Sequence, residues 1–144
     1  TADAIQTEFT GTEIFGEEID PGTWDYLPNG GMHLRGQIAE SAMNSTDPRV
    51  SGTATVIMNA NLNADLTGPL WGSFVLTVEP FSGCSEGGSW QGTFAGKISY
   101  TQFYAYYHAV IQGVSGCVEG MKASIDEDCF TGTYNGTILD PHGE

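Results

Sequence analysis

The chain has little positive charge. Its 144 residues include 4 Lys and Arg against 18 Asp and Glu, which gives a formal net charge of −14. Such a surface cannot neutralise a nucleic-acid backbone, and anionic lipid headgroups repel it. No apolar run approaches the roughly 18 residues of a membrane-spanning helix. The sequence therefore argues against a nucleic-acid partner and against membrane insertion.

The short motifs of cofactor and metal chemistry are also missing. The three cysteines form no C-x-x-C pair, and the three histidines lack the spacing of zinc ligands. There is no phosphate-binding loop, no G-x-S-x-G elbow and no haem attachment motif. Acidic runs at 17–20 and 126–128 offer oxygen ligands without the spacing of a calcium loop. We therefore expect no cofactor and no metal site.

The first residues and the cysteines bear on the compartment. The sequence begins Thr1-Ala2-Asp3-Ala4 without Met or an apolar leader, as expected of a secreted protein after signal-peptide removal, although a trimmed chain would begin in the same way. Three cysteines fit one disulfide and one thiol, and Asn44 and Asn135 lie in formal glycosylation sequons. We expect an extracellular protein.

Glycine content and side-chain alternation predict an all-β fold. Twenty Gly and six Pro disfavour helices, since Gly costs about 1 kcal/mol per helical site relative to Ala. Period-two patterning and turn residues mark eight extended segments. They cover residues 5–15, 32–43, 50–59, 70–79, 89–99, 103–112, 118–125 and 132–139. Short connections predict one domain over residues 1–144, a single eight-stranded antiparallel up-and-down β-barrel.

Alternation also assigns faces to three of these segments. Bulky side chains alternate with glycine along one face, which fits the tapering interior of a small barrel. The residues are Leu70, Gly72, Phe74, Leu76 and Val78; Trp90, Gly92, Phe94, Gly96 and Ile98; and Gly132, Tyr134, Gly136 and Ile138. We expect them to point inward. The segment at 103–112 has large residues on both faces, so its inward face stays open and both faces could be covered.

The predicted strand order constrains the cysteines. In an up-and-down barrel, the turns after the fourth and sixth strands lie at one end, and the turn after the seventh lies at the other, some 30 Å away for strands of about nine residues. This order predicts a Cys84–Cys117 disulfide and leaves Cys129 as a free or intermolecular thiol, because widely separated cysteines cannot be bridged. The alternative is three reduced, buried cysteines.

Several glycine-spaced segments carry a family resemblance. They read GSWQGTFAGK at 88–97, GVSGCVEG at 113–120 and GTYNGTIL at 132–139, with GPLWGSF upstream at 68–74. This set resembles the allene oxide cyclase-like barrel superfamily, which includes dirigent proteins, and in particular its uncharacterised bacterial secreted members. The resemblance implies an eight-stranded, commonly oligomeric barrel. In some members the cavity binds an apolar substrate and guides a cyclisation or coupling without a cofactor.

Two groups of residues are candidate ligand sites. His33 and Arg35 share one face of the second predicted strand and could bind an anionic ligand if that face points inward; a solvated polar stripe is the alternative. Tyr104 and Tyr106 could bind a ligand at a barrel mouth, although aromatic residues also pack in strands and at interfaces.

Three residues are candidates for catalysis. Tyr107 and His108 could transfer a proton at the barrel mouth. Glu119 could be a buried general base with a raised pKa. The alternatives are packing or an interface for the first two, and a Glu that accepts backbone hydrogen bonds for the third.

These features leave three classes of function. The first is an extracellular interaction or structural subunit, a homo-oligomer or polymer that pairs through an N-terminal strand within residues 1–16, the Tyr-rich strand and the odd cysteine. The second is a carrier of a small apolar ligand in the barrel cavity. The third is a cofactor-independent cyclase or isomerase that uses the same cavity.

Overall fold

The computed structural model describes residues 4–142, which form nine β-strands and a short 3-10 helix. The strands are β1 (Ile5–Asp20), β2 (Thr23–Tyr26), β3 (Met32–Ser45), β4 (Gly52–Leu62), β5 (Thr67–Val78), β6 (Gly88–Ser99), β7 (Tyr104–Gly116), β8 (Lys122–Asp128) and β9 (Thr133–Asp140); the helix is Pro48–Val50. The expected all-β fold is confirmed. Across residues 4–142, no helix has the length and apolar character needed to cross a membrane.

The nine strands form one antiparallel sheet that closes into a ring. From β3 to β9, each strand pairs with the next along the chain. The long β1 closes the ring, because residues 5–12 pair with β9 and residues 11–20 pair with β3. The N-terminal strand that the sequence offers for inter-subunit pairing therefore has strand partners within its own chain.

The strand β2 lies at residues 23–26, between the first two predicted segments, where no strand was expected. The chain turns at Pro21 and Gly22, where Gly22 has a φ of +73°. A Cβ at Gly22 would lie 2.5 Å from the carbonyl oxygen of Arg35, so a larger residue would meet β3 there. Beyond this turn, residues 23–26 pair with the first residues of β3, and Trp24 packs against the core. Pairing with β3 thus makes a strand out of a segment with weak alternation.

A bulge in β3 changes which of its side chains face inward. The register shifts between Leu34 and Gln37, and Gly36 between them has a φ of +72°. Gly accepts this left-handed conformation without the steric penalty that other residues meet. As a result, Arg35 and Gln37 lie on opposite faces, although they are two residues apart.

The inside of the ring is the core. The faces of β5, β6 and β9 expected to point inward do so, with Phe74, Trp90 and Ile138 at most 1% exposed. On β7 the inward face contains Tyr107 and Ile111, and the opposite face is exposed. Burial therefore shows which face of β7 points inward, a question that side-chain alternation left open.

One end of the ring is filled; we call it the closed end. Val50 and Val118 are fully buried there, and the Trp90 indole donates a hydrogen bond of 2.8 Å to the carbonyl of Arg49. A disulfide joins Cys84, between β5 and β6, to Cys117, between β7 and β8, with 6.1 Å between the Cα atoms. This is the pairing that the strand order predicts.

The opposite end of the ring is the open end. It carries the connections at 62–67, 99–104 and 128–133, and the last of these contains Cys129. Cys129 is not in a disulfide. Tyr100, Phe103 and Phe130 lie in these connections and are 45%, 78% and 54% exposed. The open end thus presents aromatic side chains to solvent, whereas the closed end is packed.

Candidate functional site

A row of inward side chains crosses four neighbouring strands. Tyr107 on β7 lies opposite Glu127 on β8, and Glu127 lies opposite Tyr134 on β9. Tyr134 in turn lies opposite Gly11 on β1. A Cβ at Gly11 would lie 2.4 Å from Cζ of Tyr134, so the missing side chain makes room for the phenol ring. The row places a carboxyl group between two phenol groups inside the ring.

A second carboxyl group joins this row from β1. Glu13 is 6% exposed and accepts a hydrogen bond from the hydroxyl of Ser41 on β3. The Tyr107 hydroxyl donates to Oε1 of Glu127 at 2.8 Å and lies 3.5 Å from Oε1 of Glu13. Tyr107 therefore links the two carboxyl groups. We call Glu13, Ser41, Tyr107 and Glu127 the carboxyl cluster.

The environment of the carboxyl cluster keeps a proton in it at neutral pH. Burial raises the pKa of Glu127 to about 10, and the neighbouring Glu13 adds to this effect. A second carboxyl group in the same buried site disfavours ionisation of Glu127, which therefore holds a proton at neutral pH. Burial and the two nearby carboxyl groups also raise the pKa of Tyr107, whose hydroxyl therefore remains a donor.

One atom of the cluster lacks a donor. Glu127 is 3% exposed, and no N–H or O–H group among residues 4–142 donates to its Oε2, although its side chain interacts with the carboxyl group of Glu13. A buried polar atom without a partner costs about 1–3 kcal/mol of stability. A stable interior does not need such a group, so its presence points to a role beyond packing.

The open end contains a cavity of about 200 Å³ beside the carboxyl cluster. Glu13, Ser41 and Tyr107 line one side of it, and Phe15, which is 56% exposed, lies at its rim. The other walls are mainly apolar and include Val56, Met58, Leu70, Phe74, Phe94 and Ile98. Apolar walls with a few convergent polar groups are typical of small-molecule sites.

Cys129 also lines this cavity. Burial raises the pKa of its thiol to about 12, and repulsion from Glu127 and Glu13 adds to the shift. The thiolate is the nucleophilic form of cysteine, and these neighbours disfavour it. In this environment Cys129 is a weak nucleophile at neutral pH.

Of the residues on β7 that the sequence analysis selected, the structure brings only Tyr107 to the cavity. Tyr104, Tyr106 and His108 lie on the outer face, where the two tyrosine rings stack with centroids 6.1 Å apart. Nδ1 of His108 lies 2.7 Å from Oδ1 of Asp126, and both side chains are more than half exposed. An open depression of about 950 Å³ runs along Tyr106 and His108 outside the ring. These residues are surface groups.

His33 and Arg35 also lie on the outer face. Leu34 between them is 1% exposed and points inward. The Arg35 guanidinium lies 5.1 Å from the ring centroid of Trp71 and donates to Oδ1 of Asn61 at 2.8 Å. An anion site inside the ring required this face to point inward, and that condition is not met.

Glu119 lies at the closed end, in the turn between β7 and β8. Its side chain is exposed, so the interpretation of Glu119 as a buried general base was wrong. The physical reason is that β8 begins at Lys122 and not at Val118, which leaves Glu119 in a turn outside the sheet.

The sequence analysis missed Glu13, Ser41 and Glu127. A signal for both glutamates was present, because each continues an inward alternation: Glu13 follows Phe9 and Gly11, and Glu127 follows Ala123 and Ile125. An acidic residue at an inward position of a strand indicates a buried carboxyl. Ser41 has no comparable signal, since Ser occurs on either face of a strand.

The carboxyl cluster can hold and exchange a proton, and it can accept hydrogen bonds from N–H or O–H groups that enter the cavity. Among residues 4–142, no group of three or more His, Cys, Asp or Glu is arranged to hold a metal ion. The side chains of the carboxyl cluster themselves supply hydrogen bonding and proton transfer.

Comparison with known proteins adds no relative: no family model, curated protein or solved structure matches this chain. The cavity and the carboxyl cluster are thus the observations from which a function can be inferred.

Proposed function

We propose that this protein binds a small, largely apolar molecule in the cavity at the open end. The observation that carries the proposal is the pairing of apolar walls with a buried polar group, the carboxyl cluster, at one side of a single cavity. A buried carboxyl pair costs stability, and an apolar core of the same volume would be at least as stable. Retaining it is understandable if a ligand hydrogen-bonds to Glu13, Ser41 or Tyr107, the members of the cluster that line the cavity.

The size of the cavity limits the ligand. A dry apolar cavity of about 150 Å³ is large enough to hold benzene. A cavity of about 200 Å³ therefore suits one ring or a short branched chain with a polar arm. Entry is from the open end, because the closed end is filled by Trp90, Val50 and Val118.

The proposal includes the architecture. We take the ring as an eight-stranded up-and-down β-barrel made of β1 and β3–β9, with β2 continuing β1 along β3. Ring closure by β1 and the consecutive antiparallel order support this interpretation. It is the architecture that the resemblance to the allene oxide cyclase-like superfamily implies, and membership of that superfamily is part of the proposal. The Cys84–Cys117 disulfide supports an extracellular location.

Calorimetric titration with cyclohexylmethanol, a neutral one-ring alcohol, tests the proposal. We expect saturable binding at one site per chain. Ala105 lines the cavity, so Ala105→Leu should fill it and abolish binding. The matched control is Ala95→Leu, which makes the same change at an exposed position on the outer face of β6 and should leave binding intact.

A second filling variant keeps this test informative if Ala105→Leu does not fold. Ala39 lines the cavity from β3, and Ala39→Leu should have the same effect. The proposal is overturned if cyclohexylmethanol, its amine and its carboxylate analogues all fail to bind the wild-type chain, or if folded filling variants bind as the wild type does.

The exposed apolar residues of β1 favour a second function, as a self-assembling subunit. Ile14, Phe15 and Ile19 are 62%, 56% and 53% exposed. The pairing of β1 with β9 ends at Thr12, which leaves one edge of this segment without a strand partner among residues 4–142. The partner we propose is a second copy of this chain, paired edge to edge.

Light scattering tests self-assembly. Each copy carries a net charge of −14, so association should be weak in dilute buffer and strengthen as salt screens the repulsion. Ile14→Thr should reduce it, whereas Val75→Thr, at an exposed site on β5, should not. A monomer at every salt concentration, with no filaments by negative-stain microscopy, would rule out this second function.

A further inference from the structure

The carboxyl cluster is a buried negative site with no positively charged side chain beside it. The chain has four Lys and Arg residues, all within residues 4–142. Arg49 forms an ion pair of 2.6 Å with Asp47 near the closed end, and Arg35 lies on the outer face over Trp71. The other two, Lys97 and Lys122, are exposed. The partners of Glu13 within the cluster are the hydroxyl groups of Ser41 and Tyr107 and the carboxyl group of Glu127, none of which carries a positive charge.

Hydroxyl groups do not neutralise a buried carboxylate. Glu127 keeps its proton at neutral pH, because its pKa is raised to about 10. Glu13 is the carboxyl group of the pair that lines the cavity. Buried charges in proteins are normally paired with an opposite charge. Within residues 4–142 no cationic side chain forms an ion pair with Glu13, and the cavity opens beside its carboxyl group.

We propose that the ligand of this cavity is a small organic cation, an ammonium group carried on an apolar body of about one ring. Its N–H groups would donate to Glu13, and its apolar part would lie between Met58, Leu70 and Phe94. This inference rests on the proposed function and adds the chemical class of the ligand.

The net charge of the molecule also favours a cationic ligand over an anionic one. A net charge of −14 lowers the electrostatic potential around the open end, which attracts cations and repels anions. An anionic ligand would also place a second negative charge against the carboxyl cluster. A neutral ligand would fill the cavity but leave the buried charge without a counter-charge.

Three ligands with the same ring distinguish these possibilities: cyclohexylmethylamine, cyclohexylmethanol and cyclohexanecarboxylate, titrated into the full chain at pH 7 and constant ionic strength. We expect the amine to bind at least about tenfold more tightly than the alcohol, since hydrogen bonds to charged groups are the stronger kind. Ammonium chloride at the same concentration serves as the inorganic control and should not compete. The carboxylate should not bind measurably.

Glu13→Gln should remove the preference for the amine, because Gln has the same shape without the charge. Glu8→Gln, at an exposed position on the same strand, is the matched control and should keep the preference. If Glu13→Gln does not fold, the comparison of the three ligands on the wild-type chain still decides the question.

The outcomes separate this inference from the proposed function. Equal binding of amine and alcohol, or a preference that survives Glu13→Gln, overturns the cation assignment while leaving a cavity that binds small molecules. Competition by ammonium chloride also overturns it, because the site would then bind an inorganic cation. Failure of all three ligands overturns the proposed function as well.

Discussion

Replacing Glu127 by Gln should remove most of the pH dependence of stability between pH 5 and pH 8. The pKa of Glu127 is raised from 4.5 to about 10, first by burial and then by Glu13. The native chain therefore keeps a proton that the unfolded chain releases above pH 4.5. The stabilisation from this group is complete below that pH and is lost as the pH rises towards 10.

The magnitude follows from linkage. While the native state holds one proton more than the unfolded state, the free energy of unfolding falls by about 1.4 kcal/mol per pH unit. Glu127 should therefore destabilise the wild-type chain by up to about 4 kcal/mol between pH 5 and pH 8. Gln has nearly the same shape and does not titrate, and its Oε1 can still accept the Tyr107 hydrogen bond. The variant should lose little stability over this range.

Urea unfolding followed by tryptophan fluorescence, with the disulfide intact, measures this at pH 5, 6, 7 and 8. The other titratable groups around Glu127 lie on four strands and one connection, and all remain in the variant. They are Glu13 on β1, Tyr107 on β7, Asp128 on β8, Tyr134 on β9 and Cys129 in the connection to β9. Glu119→Gln is the matched control, since that glutamate is exposed in a turn. Parallel stability curves for wild type and Glu127→Gln would refute the assignment of a buried proton.

Two further predictions concern single contacts. Tyr107→Phe removes the hydroxyl that donates to Glu127 at 2.8 Å and should lower the free energy of unfolding at pH 7 by about 1–3 kcal/mol. Tyr106→Phe, at a half-exposed position, should change it by less than about 0.5 kcal/mol, and equal effects of the two variants would contradict the proposed hydrogen bond. Replacing both Cys84 and Cys117 by Ser should cost about 3–4 kcal/mol in the same urea assay, because the disulfide closes a loop with a sequence separation of 33. Reduction of the wild-type chain should give a similar loss, and a difference below about 1 kcal/mol would contradict a constraining role for the disulfide.

Much of the sheet could be predicted because glycine alternates with bulky side chains where strands pack around a common interior. On β6, Trp90 and Phe94 are 0% and 5% exposed, as their alternation with Gly92 and Gly96 indicates. The parts that were missed depend on contacts distant in sequence. The strand β2 forms because residues 23–26 pair with residues 32–35 of β3. No local sequence pattern predicts this pairing.

The site was harder to predict than the fold. Tyr107 was selected as a candidate, but its neighbours were ranked with it, because alternation could not tell which face of β7 points inward. Glu127 lies in an acidic run of the kind that is usually solvated, and Glu13 is a single glutamate on a strand; most glutamates are exposed, so neither stands out in the sequence. Their meeting inside the ring depends on the closure of β1 against β9, which brings residues from both ends of the chain together.

The position of the carboxyl cluster explains how the fold tolerates the loss of stability that two buried carboxyl groups cause. Trp90 and the disulfide hold the closed end, where stability comes from apolar burial and a covalent link. The open end contains the buried carboxyl pair and the cavity, so the destabilising groups lie away from the residues that fix the strands. Any ligand that supplies a positive charge to Glu13 would stabilise the chain, and at a given concentration a tighter ligand would stabilise it more, because it binds the native state alone. A cavity that binds such a cation is therefore expected to be the part of the molecule whose stability responds most to both pH and ligand.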